Sequence, residues 1–299
     1  MVASTRSEQR VRTEDGYDLV ATAFEPSGPS RPGRIAVINA GAGIPARYYH
    51  SFATHLAERG IPVVTYDYRG IGKSRFGSLN GFSASVEDWG SKDCAAILRY
   101  AKLAFPKAKI AVIGHSIGSF LTGFVTDPAE IDLFAFIGGH TGYFGDYRLR
   151  SRVQMALMWH VVMPAISRKY GFFPGRRFGL PDDLPLGVAL EWAGRRRPDF
   201  RSNINQPDGS PDMARRGQLT ERFSAFSGHG LLFRTMDDAF VTASASRRLQ
   251  GLFTGVKFAD RPVDARAVGI GKVGHFGFFR SRNKALWPIV TNWIERDGA

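Results

Sequence analysis

The chain has 299 residues, of which 43% are hydrophobic and 22% are charged, so it can fill a core and is not a disordered polymer. No apolar run reaches the ~18 residues of a membrane-spanning helix, and the first ten residues lack the apolar stretch of a secretory signal. The single cysteine, Cys94, excludes an intramolecular disulfide and paired-cysteine metal or redox sites. We therefore expect a cytoplasmic protein without a transmembrane segment, and the sequence leaves its oligomeric state open.

The formal net charge of +13 raises the question of a nucleic-acid partner. The basic residues are scattered along the chain, and Arg195–Arg197 is the only triplet. No helix-turn-helix, zinc-finger or RNA-recognition pattern accompanies them, so we expect no nucleic-acid partner. A basic chain also attracts anionic substrates and membrane surfaces.

Predicted strands and helices alternate along most of the chain. The first two strands, Val11–Thr13 and Leu19–Phe24, form a hairpin around the turn pair Asp15–Gly16, and a linker at Pro26–Gly33 follows. In chain order, the other predicted elements are a strand at Ile35–Ile38, a helix at Arg47–Arg59, a strand at Ile61–Tyr66, a helix at Val86–Leu103, strands at Lys109–Ile113, Leu133–Ile137 and Leu231–Phe233, a helix at Ala243–Leu249 and a closing helix at Lys284–Arg296. This alternation predicts an α/β fold with a mostly parallel sheet of about eight strands and helices on both faces.

Residues 141–222 interrupt this alternation. They contain seven prolines and two tryptophans, Trp159 and Trp192, and residues 140–222 carry 14 basic and 8 acidic side chains. We interpret 141–222 as a helical lid inserted into a core formed by 1–140 and 223–299. The alternative is that this segment is a surface insertion without a role in the site.

The strongest motif is Gly114–Gly118, with the sequence Gly-His-Ser-Ile-Gly, which matches G-x-S-x-G between a predicted strand and a predicted helix. A nucleophile in such a sharp turn needs small neighbours that leave it accessible. The helix that starts behind Ser116 directs its first N–H groups, beginning with Ile117, at the oxyanion that forms on an attacked carbonyl. Ser116 is therefore the predicted nucleophile.

A serine nucleophile needs a base, and the base needs an orienting carboxylate. Among seven histidines, His275 lies in a glycine-flanked loop just before the last helix and is the predicted base. His115 stands beside the nucleophile and is expected to border the substrate pocket, pointing away from Ser116. His140 and His160 are further residues that could border the pocket.

Two adjacent carboxylates, Asp237 and Asp238, follow the strand Leu231–Phe233. Adjacent side chains point in different directions, so only one of them can hold the imidazole. Asp238, which Ala-Phe-Val follows, is the predicted acid, and Asp237 remains the alternative.

The chain order Ser116, Asp238, His275, together with the turn and the sheet pattern, resembles the α/β-hydrolase superfamily over essentially the whole chain. More narrowly, it resembles the serine-aminopeptidase and monoacylglycerol-lipase branch. Ala40–Gly43 stands where that branch has an H-G-x-G oxyanion loop, and Asp67–Ser74 resembles its D-x-R-G-x-G-x-S loop.

This resemblance implies that the backbone N–H of Ala42 joins that of Ile117 in holding the oxyanion. The sequence departs from the family pattern at Ala40, which replaces the usual histidine of the loop. The segments 173–192 and 274–280 also resemble a bacterial group of predicted α/β-hydrolases.

Two other patterns suggest nucleotide binding. Gly41–Ala46 matches G-x-G-x-x-A of a dinucleotide fold, but this interpretation leaves Asp238 and His275 unexplained. Gly70–Ser74 imitates the end of a P-loop, although position 67, where its first glycine is required, is an aspartate. No metal-ligand spacing appears.

The sequence thus predicts a serine hydrolase, with a carboxylic ester as substrate, that needs no cofactor or metal. We expect its partner to be a small acyl substrate, and the net positive charge of the chain favours anionic substrates. Trp159 and Trp192 are expected to line the acyl pocket. Two alternatives remain: an acyltransferase with the same triad, and a catalytically idle binding protein.

Overall fold

The computed structural model describes residues 3–27, 33–296 and 298, and the predicted linker at Pro26–Gly33 falls largely outside them. The strands are β1 Ser4–Arg12, β2 Asp18–Pro26, β3 Arg34–Asn39, β4 Val63–Tyr66, β5 Lys109–His115, β6 Leu133–Ile137, β7 Phe172–Phe173, β8 Leu184–Pro185, β9 Ser227–Thr235 and β10 Gly255–Val263. The α-helices are α1 His50–Glu58, α2 Val86–Asp88, α3 Ala95–Ala104, α4 Ile117–Leu121, α5 Leu149–Leu157, α6 Met163–Tyr170, α7 Leu186–Ala193, α8 Met213–Ser224, α9 Ala243–Gln250 and α10 Trp287–Glu295.

Within the described residues, eight strands form one central sheet in the order β1-β2-β4-β3-β5-β6-β9-β10. The strand β2 runs antiparallel to both of its neighbours, β1 and β4, and all other neighbouring strands are parallel. The short strands β7 and β8 form a separate antiparallel pair. The predicted α/β fold with a mostly parallel sheet of eight strands is confirmed.

The centre of the sheet is formed by apolar runs that are covered on both faces. In β3, β5 and β6, the residues Ile35–Ile38, Ile110–Ile113 and Leu133–Ile137 are all buried. Parallel strands are covered on both faces because their crossover helices pack there. Since the strands run in the same direction, their carboxyl ends lie at one edge of the sheet, where the loops that follow them are neighbours.

The predicted helix at Val86–Leu103 is continuous but contains a π-helical turn, Trp89–Cys94, between α2 and α3. In this turn, a Cβ on Gly90 would lie 2.5 Å from the carbonyl oxygen of Leu121. Only glycine allows this approach, and the turn thereby packs against the end of α4.

The segment between β6 and β9 is mostly helical and contains α5 to α8. Its last helix, α8, buries Leu219 and Phe223, and the ring of Phe223 lies 5.4 Å from that of Phe120 in α4. The carboxyl-terminal part of this segment therefore packs on the layer that carries α4.

A buried ion-pair network fixes the loop after β4. The Nε of Arg69 lies 2.7 Å from Oδ1 of Asp93, and its Nη1 lies 2.7 Å from Oδ2 of Asp15. The guanidinium thus joins the turn between β1 and β2 to the helical segment at Asp93. Both Arg69 and Asp93 are buried.

Replacing Arg69 by Met should lower the free energy of unfolding by about 3–5 kcal/mol, because the charge of Asp93 would stay buried without its cationic partner. The control is Arg12→Met, since Arg12 is 70% exposed in its pair with Asp18 and should change stability by only ~0–1 kcal/mol. Urea unfolding of both variants tests this, and equal losses would contradict it.

Candidate active site

Ser116 lies between the end of β5 and the start of α4 in a backbone conformation that side chains other than glycine rarely adopt. Its φ is 56° and its ψ is −123°, and among the described residues it is the only one other than glycine with a positive φ. Such strain costs on the order of 1–3 kcal/mol and persists only where the surroundings enforce it.

Two glycines of the G-x-S-x-G motif allow this turn because backbone atoms of neighbouring segments lie too close to them for a side chain. A Cβ on Gly114 would lie 2.5 Å from the Cα of Ser119, and a Cβ on Gly118 would lie 2.2 Å from the carbonyl oxygen of Asn39. Neither contact is tolerable for a larger residue. The motif therefore presses the first turn of α4 against the ends of β5 and β3.

Ser116, His275 and Asp238 are within hydrogen-bonding distance of one another in series. The Nε2 of His275 lies 2.9 Å from Oγ of Ser116, and its Nδ1 lies 2.8 Å from Oδ2 of Asp238. Because a carboxylate can only accept, the Nδ1 of His275 carries the proton and the Nε2 accepts from the serine hydroxyl.

The carboxyl group of Asp238 is buried and well held. Its Oδ1 accepts from the backbone N–H groups of Phe240 and Val241, at 2.8 and 3.1 Å. Burial by itself raises the pKa of this carboxyl, but its pairing with His275 and these backbone hydrogen bonds outweigh burial and lower the pKa. The group is thus an anion that faces the imidazole.

Asp237 contacts the loop of His275 rather than its ring. The carboxylate accepts from the backbone N–H groups of Val273 and Gly274, at 2.8 and 3.0 Å. The two adjacent acids therefore have different positions: Asp238 contacts the imidazole of His275, and Asp237 contacts the backbone beside it.

The loop at Ala40–Gly43 lies against Ser116. A Cβ on Gly41 would lie 3.5 Å from the Cβ of Ser116, and the N–H of Gly41 donates to Oη of Tyr49 at 2.8 Å. Within the described part of the chain, the N–H groups of Ala42 and Ile117 donate to no protein acceptor.

Asp67 anchors the far end of this loop. Its Oδ1 accepts from the N–H of Ala46 at 2.6 Å, and its Oδ2 accepts from the N–H of Lys73 at 2.9 Å. The loop that carries Ala40 in place of histidine is therefore tied to the loop after β4 by a carboxylate.

His115 is buried beneath the turn and contacts both loops beside Ser116. Its Nδ1 lies 2.8 Å from Oη of Tyr49, and its Nε2 lies 3.1 Å from the carbonyl oxygen of His275. Burial lowers the pKa of this imidazole to about 3, so the ring is neutral. With these contacts, His115 joins Tyr49 to the backbone of the loop that carries His275.

His140, at the end of β6, is named above only as a residue that could border the pocket, and its contact with Ser116 was not predicted. Its Nε2 lies 3.1 Å from Oγ of Ser116, and its Nδ1 accepts from the N–H of Gly142 at 3.0 Å. The available clue was its place after the strand that neighbours β5, since such strand ends meet at one edge.

The segment 141–222 covers this side of the site. The indole ring of Trp192 lies 5.9 Å from the ring of His140 and 5.5 Å from that of Trp159. Ser116 is 8% exposed. Among the described residues, the indole N–H of Trp192 is buried without an acceptor.

Within residues 3–27, 33–296 and 298, no cluster of three or more His, Cys, Asp or Glu side chains could hold a metal ion. Across the same residues, no helix is both long and apolar enough to cross a membrane.

The two adjacent acids should differ in their effect on turnover. We expect Asp238→Asn to lower kcat by up to ~10⁴-fold, because an amide cannot stabilise an imidazolium and favours the wrong tautomer. Asp237→Asn is the matched control and should cost much less, since it loosens only the backbone at Val273 and Gly274. Steady-state kinetics on one ester substrate ranks the variants, and the reverse ranking would overturn the assignment.

Comparisons with known proteins agree with this architecture. The family model described as serine aminopeptidase, S33, matches residues 30–139, and no curated protein matches the chain. An esterase from Pyrococcus furiosus is 13% identical over 99% of this chain and 91% of its own, with a TM-score of 0.60. An esterase from Thermogutta terrifontis is 12% identical over 98% and 100%, with a TM-score of 0.60.

The acylaminoacyl peptidase of Pyrococcus horikoshii is also similar, with 12% identity over 99% of this chain and 42% of its own and a TM-score of 0.59. At these identities the structural likeness demonstrates the fold alone. Together with the family model over residues 30–139 and the sheet order, the likeness confirms the fold and supports the predicted resemblance to the α/β-hydrolase superfamily.

Proposed function

We propose that the protein is a serine hydrolase that cleaves an acyl bond, with a carboxylic ester as its substrate, through an acyl-enzyme. The observation that carries this proposal is the series of hydrogen bonds from Asp238 through His275 to Ser116, which ends on a nucleophile in a strained turn.

In the proposed acylation step, Oγ of Ser116 attacks the substrate carbonyl carbon while its proton passes to Nε2 of His275. Asp238 stabilises the resulting imidazolium, and the N–H groups of Ile117 and Ala42 stabilise the oxyanion. The imidazolium then protonates the departing alcohol. A water molecule repeats the attack on the acyl-enzyme and restores Ser116.

The preference for esters is supported by the structural neighbours, two of which are described as esterases. The neighbouring acylaminoacyl peptidase fits the same chemistry, since amide and ester cleavage share the tetrahedral intermediate. The proposed mechanism uses no metal and no cofactor.

Residues 141–222 form the proposed lid of this enzyme. Their Trp192 packs beside His140, close to where the acyl group of a bound substrate must lie. This position supports the proposal that Trp192 and, behind it, Trp159 line the acyl pocket. His115, which was also predicted to border the pocket, is fully buried and contacts Tyr49 and the backbone of His275 instead.

An acyltransferase would use the same residues but pass the acyl group to an alcohol or amine. Adding such an acceptor during turnover separates the two functions, because only a bound acceptor changes the ratio of products. An idle binding protein would leave Ser116 unreactive.

Ser116→Ala should abolish labelling by a fluorophosphonate probe and lower ester turnover by at least ~10³-fold, because the attacking oxygen is gone. The control is Ser119→Ala, whose hydroxyl only donates to the carbonyl oxygen of Gly114 at 2.9 Å. This control should retain labelling. Esterase activity that persists in Ser116→Ala would refute the proposed function.

Trp192→Ala should weaken transition-state binding of a p-nitrophenyl octanoate by ~1–3 kcal/mol more than that of the acetate, the effect of a lost apolar contact with the longer chain. Trp293→Ala is the control, because Trp293 in α10 is 7% exposed and Trp192 is 6% exposed. The ratio of kcat/KM values on the two esters is measured, and an unchanged ratio in Trp192→Ala would exclude this residue from the acyl pocket.

A further inference from the structure

The hydroxyl of Ser116 contacts two imidazole rings, not one. We propose that His140 is a second catalytic histidine, whose Nε2–H donates to Oγ of Ser116 and stabilises this oxygen while its bond to the acyl carbon forms and breaks. This inference rests on the proposed function as a serine hydrolase.

The hydrogen-bond partners determine the tautomer of His140. The N–H of Gly142 donates to Nδ1 at 3.0 Å, so Nδ1 presents a lone pair. In a neutral imidazole the proton is then on Nε2, which lies 3.1 Å from Oγ of Ser116. Oγ accepts this hydrogen bond and donates its own proton to Nε2 of His275, which leaves one lone pair for attack.

The turn at His140–Gly142 is held in place by the covering segment. Gly142 has a φ of 84°, and a Cβ on it would lie 3.1 Å from the Trp192 ring. The buried guanidinium of Arg195 donates to the carbonyl oxygen of Thr141 at 2.7 Å. These contacts fix the N–H of Gly142, which in turn fixes the ring of His140.

His140 is suited to donate a hydrogen bond and not to accept a proton. Burial, together with the nearby charges of His275 and Arg195, lowers the pKa of His140 to about 3, so the ring stays neutral at the pH of turnover. The two histidines therefore have different roles. His275, paired with Asp238, transfers the proton of Ser116, and His140 donates a hydrogen bond to Oγ of Ser116.

The contribution should be largest in deacylation. There the bond between the acyl carbon and Oγ breaks, its electron pair goes to Oγ, and the proton that His275 took from water moves to Oγ. An ester oxygen is a poor acceptor, so the hydrogen bond from His140 is weak in the acyl-enzyme and strengthens as charge develops on Oγ. In acylation the starting hydroxyl is already a good acceptor, and the gain is smaller.

Two amide variants test this role. His140→Asn can still accept from the N–H of Gly142 but cannot reach Ser116, whereas His140→Gln presents an amide N–H at the place of Nε2. We expect Asn to slow deacylation by about 10- to 100-fold, the effect of a lost hydrogen bond to a charged group, and acylation by less. Gln should restore most of the deacylation rate.

The burst phase with p-nitrophenyl acetate separates the two rates. Equal deacylation rates in wild type and His140→Asn would overturn the role of His140, as would a Gln variant as slow as Asn. If neither variant folds, as judged by thermal melting, His140 is a packing residue and the proposal fails. Ser116→Ala reports separately on the proposed function, because its activity does not depend on what His140 does.

A different observation carries a second inference. Four apolar side chains at a spacing of four residues, named here the apolar face of α5, are each at least 56% exposed: Leu149, Val153, Leu157 and Val161. They follow one side of α5 and the π-helical turn after it. We infer that this face docks on an anionic phospholipid surface.

Basic residues on and beside α5 favour this partner. Arg148 precedes α5, Arg150 and Arg152 lie within it, and residues 147–181 contain seven basic side chains and no acidic one; of these seven, Arg176 pairs with Asp182. A helix with exposed apolar residues and flanking arginines is typical of segments that lie in the interface of anionic membranes. A second copy of the chain would bring two such basic segments together, which their repulsion opposes.

Sedimentation with vesicles tests the inference. We expect binding to phosphatidylglycerol vesicles, weak binding to phosphatidylcholine vesicles, and release at high salt. The double variant Leu149→Ser, Val153→Ser should bind at least ~10-fold more weakly, since burial of one aliphatic side chain accounts for that factor. Leu103→Ser is the control, because Leu103 is equally exposed but lies on α3.

Equal binding to both kinds of vesicle, or equal loss in Leu103→Ser, would overturn the lipid assignment. A dimer in analytical ultracentrifugation that the double variant abolishes would assign the face to a second copy instead. Neither result depends on catalysis, so this inference stands or fails apart from the proposed function.

Discussion

The strained turn at Ser116 is the constraint on which the arrangement of the candidate site depends. A positive φ at a residue with a side chain persists only because β5 is buried on both sides and α4 is pressed against β3 through Gly118. The core of the sheet therefore supplies the free energy that holds the hydroxyl outside the strand. A nucleophile on a relaxed loop would have no such fixed direction.

The parallel sheet explains why residues distant in sequence meet at this hydroxyl. The loops after β3, β5, β6 and β9 carry Ala42, Ser116, His140 and Asp238, and all of them lie at the carboxyl edge of the sheet. Short loops are sufficient to bring these residues together, because each loop contacts the one beside it. His275 comes from a longer connection after β10, and Asp237 fixes that connection through two backbone N–H groups.

The sequence predicted those parts of the molecule in which a single physical requirement fixes the residue type, such as burial in a strand or a small residue in a tight turn. The buried strands β3, β5 and β6 are continuous apolar runs, and the motif around Ser116 requires glycines, so both were predictable. The edge strand β10 was not, because most of its residues are exposed and no apolar run marks it. The strand β1 was predicted only at Val11 and Arg12 for the same reason.

The role of His140 could not be predicted from the sequence because it depends on a tautomer, and the tautomer depends on the N–H of Gly142. Three imidazoles lie close together here, with the ring of His275 5.3 Å from His115 and 5.6 Å from His140. Burial lowers the pKa of His115 and of His140, and neither ring has a carboxylate partner among the described residues. His275 alone has one, through Asp238. A single buried carboxylate thus distinguishes the proposed base from two neighbours of the same residue type, while burial keeps those two rings neutral against the opposing field of the same carboxylate.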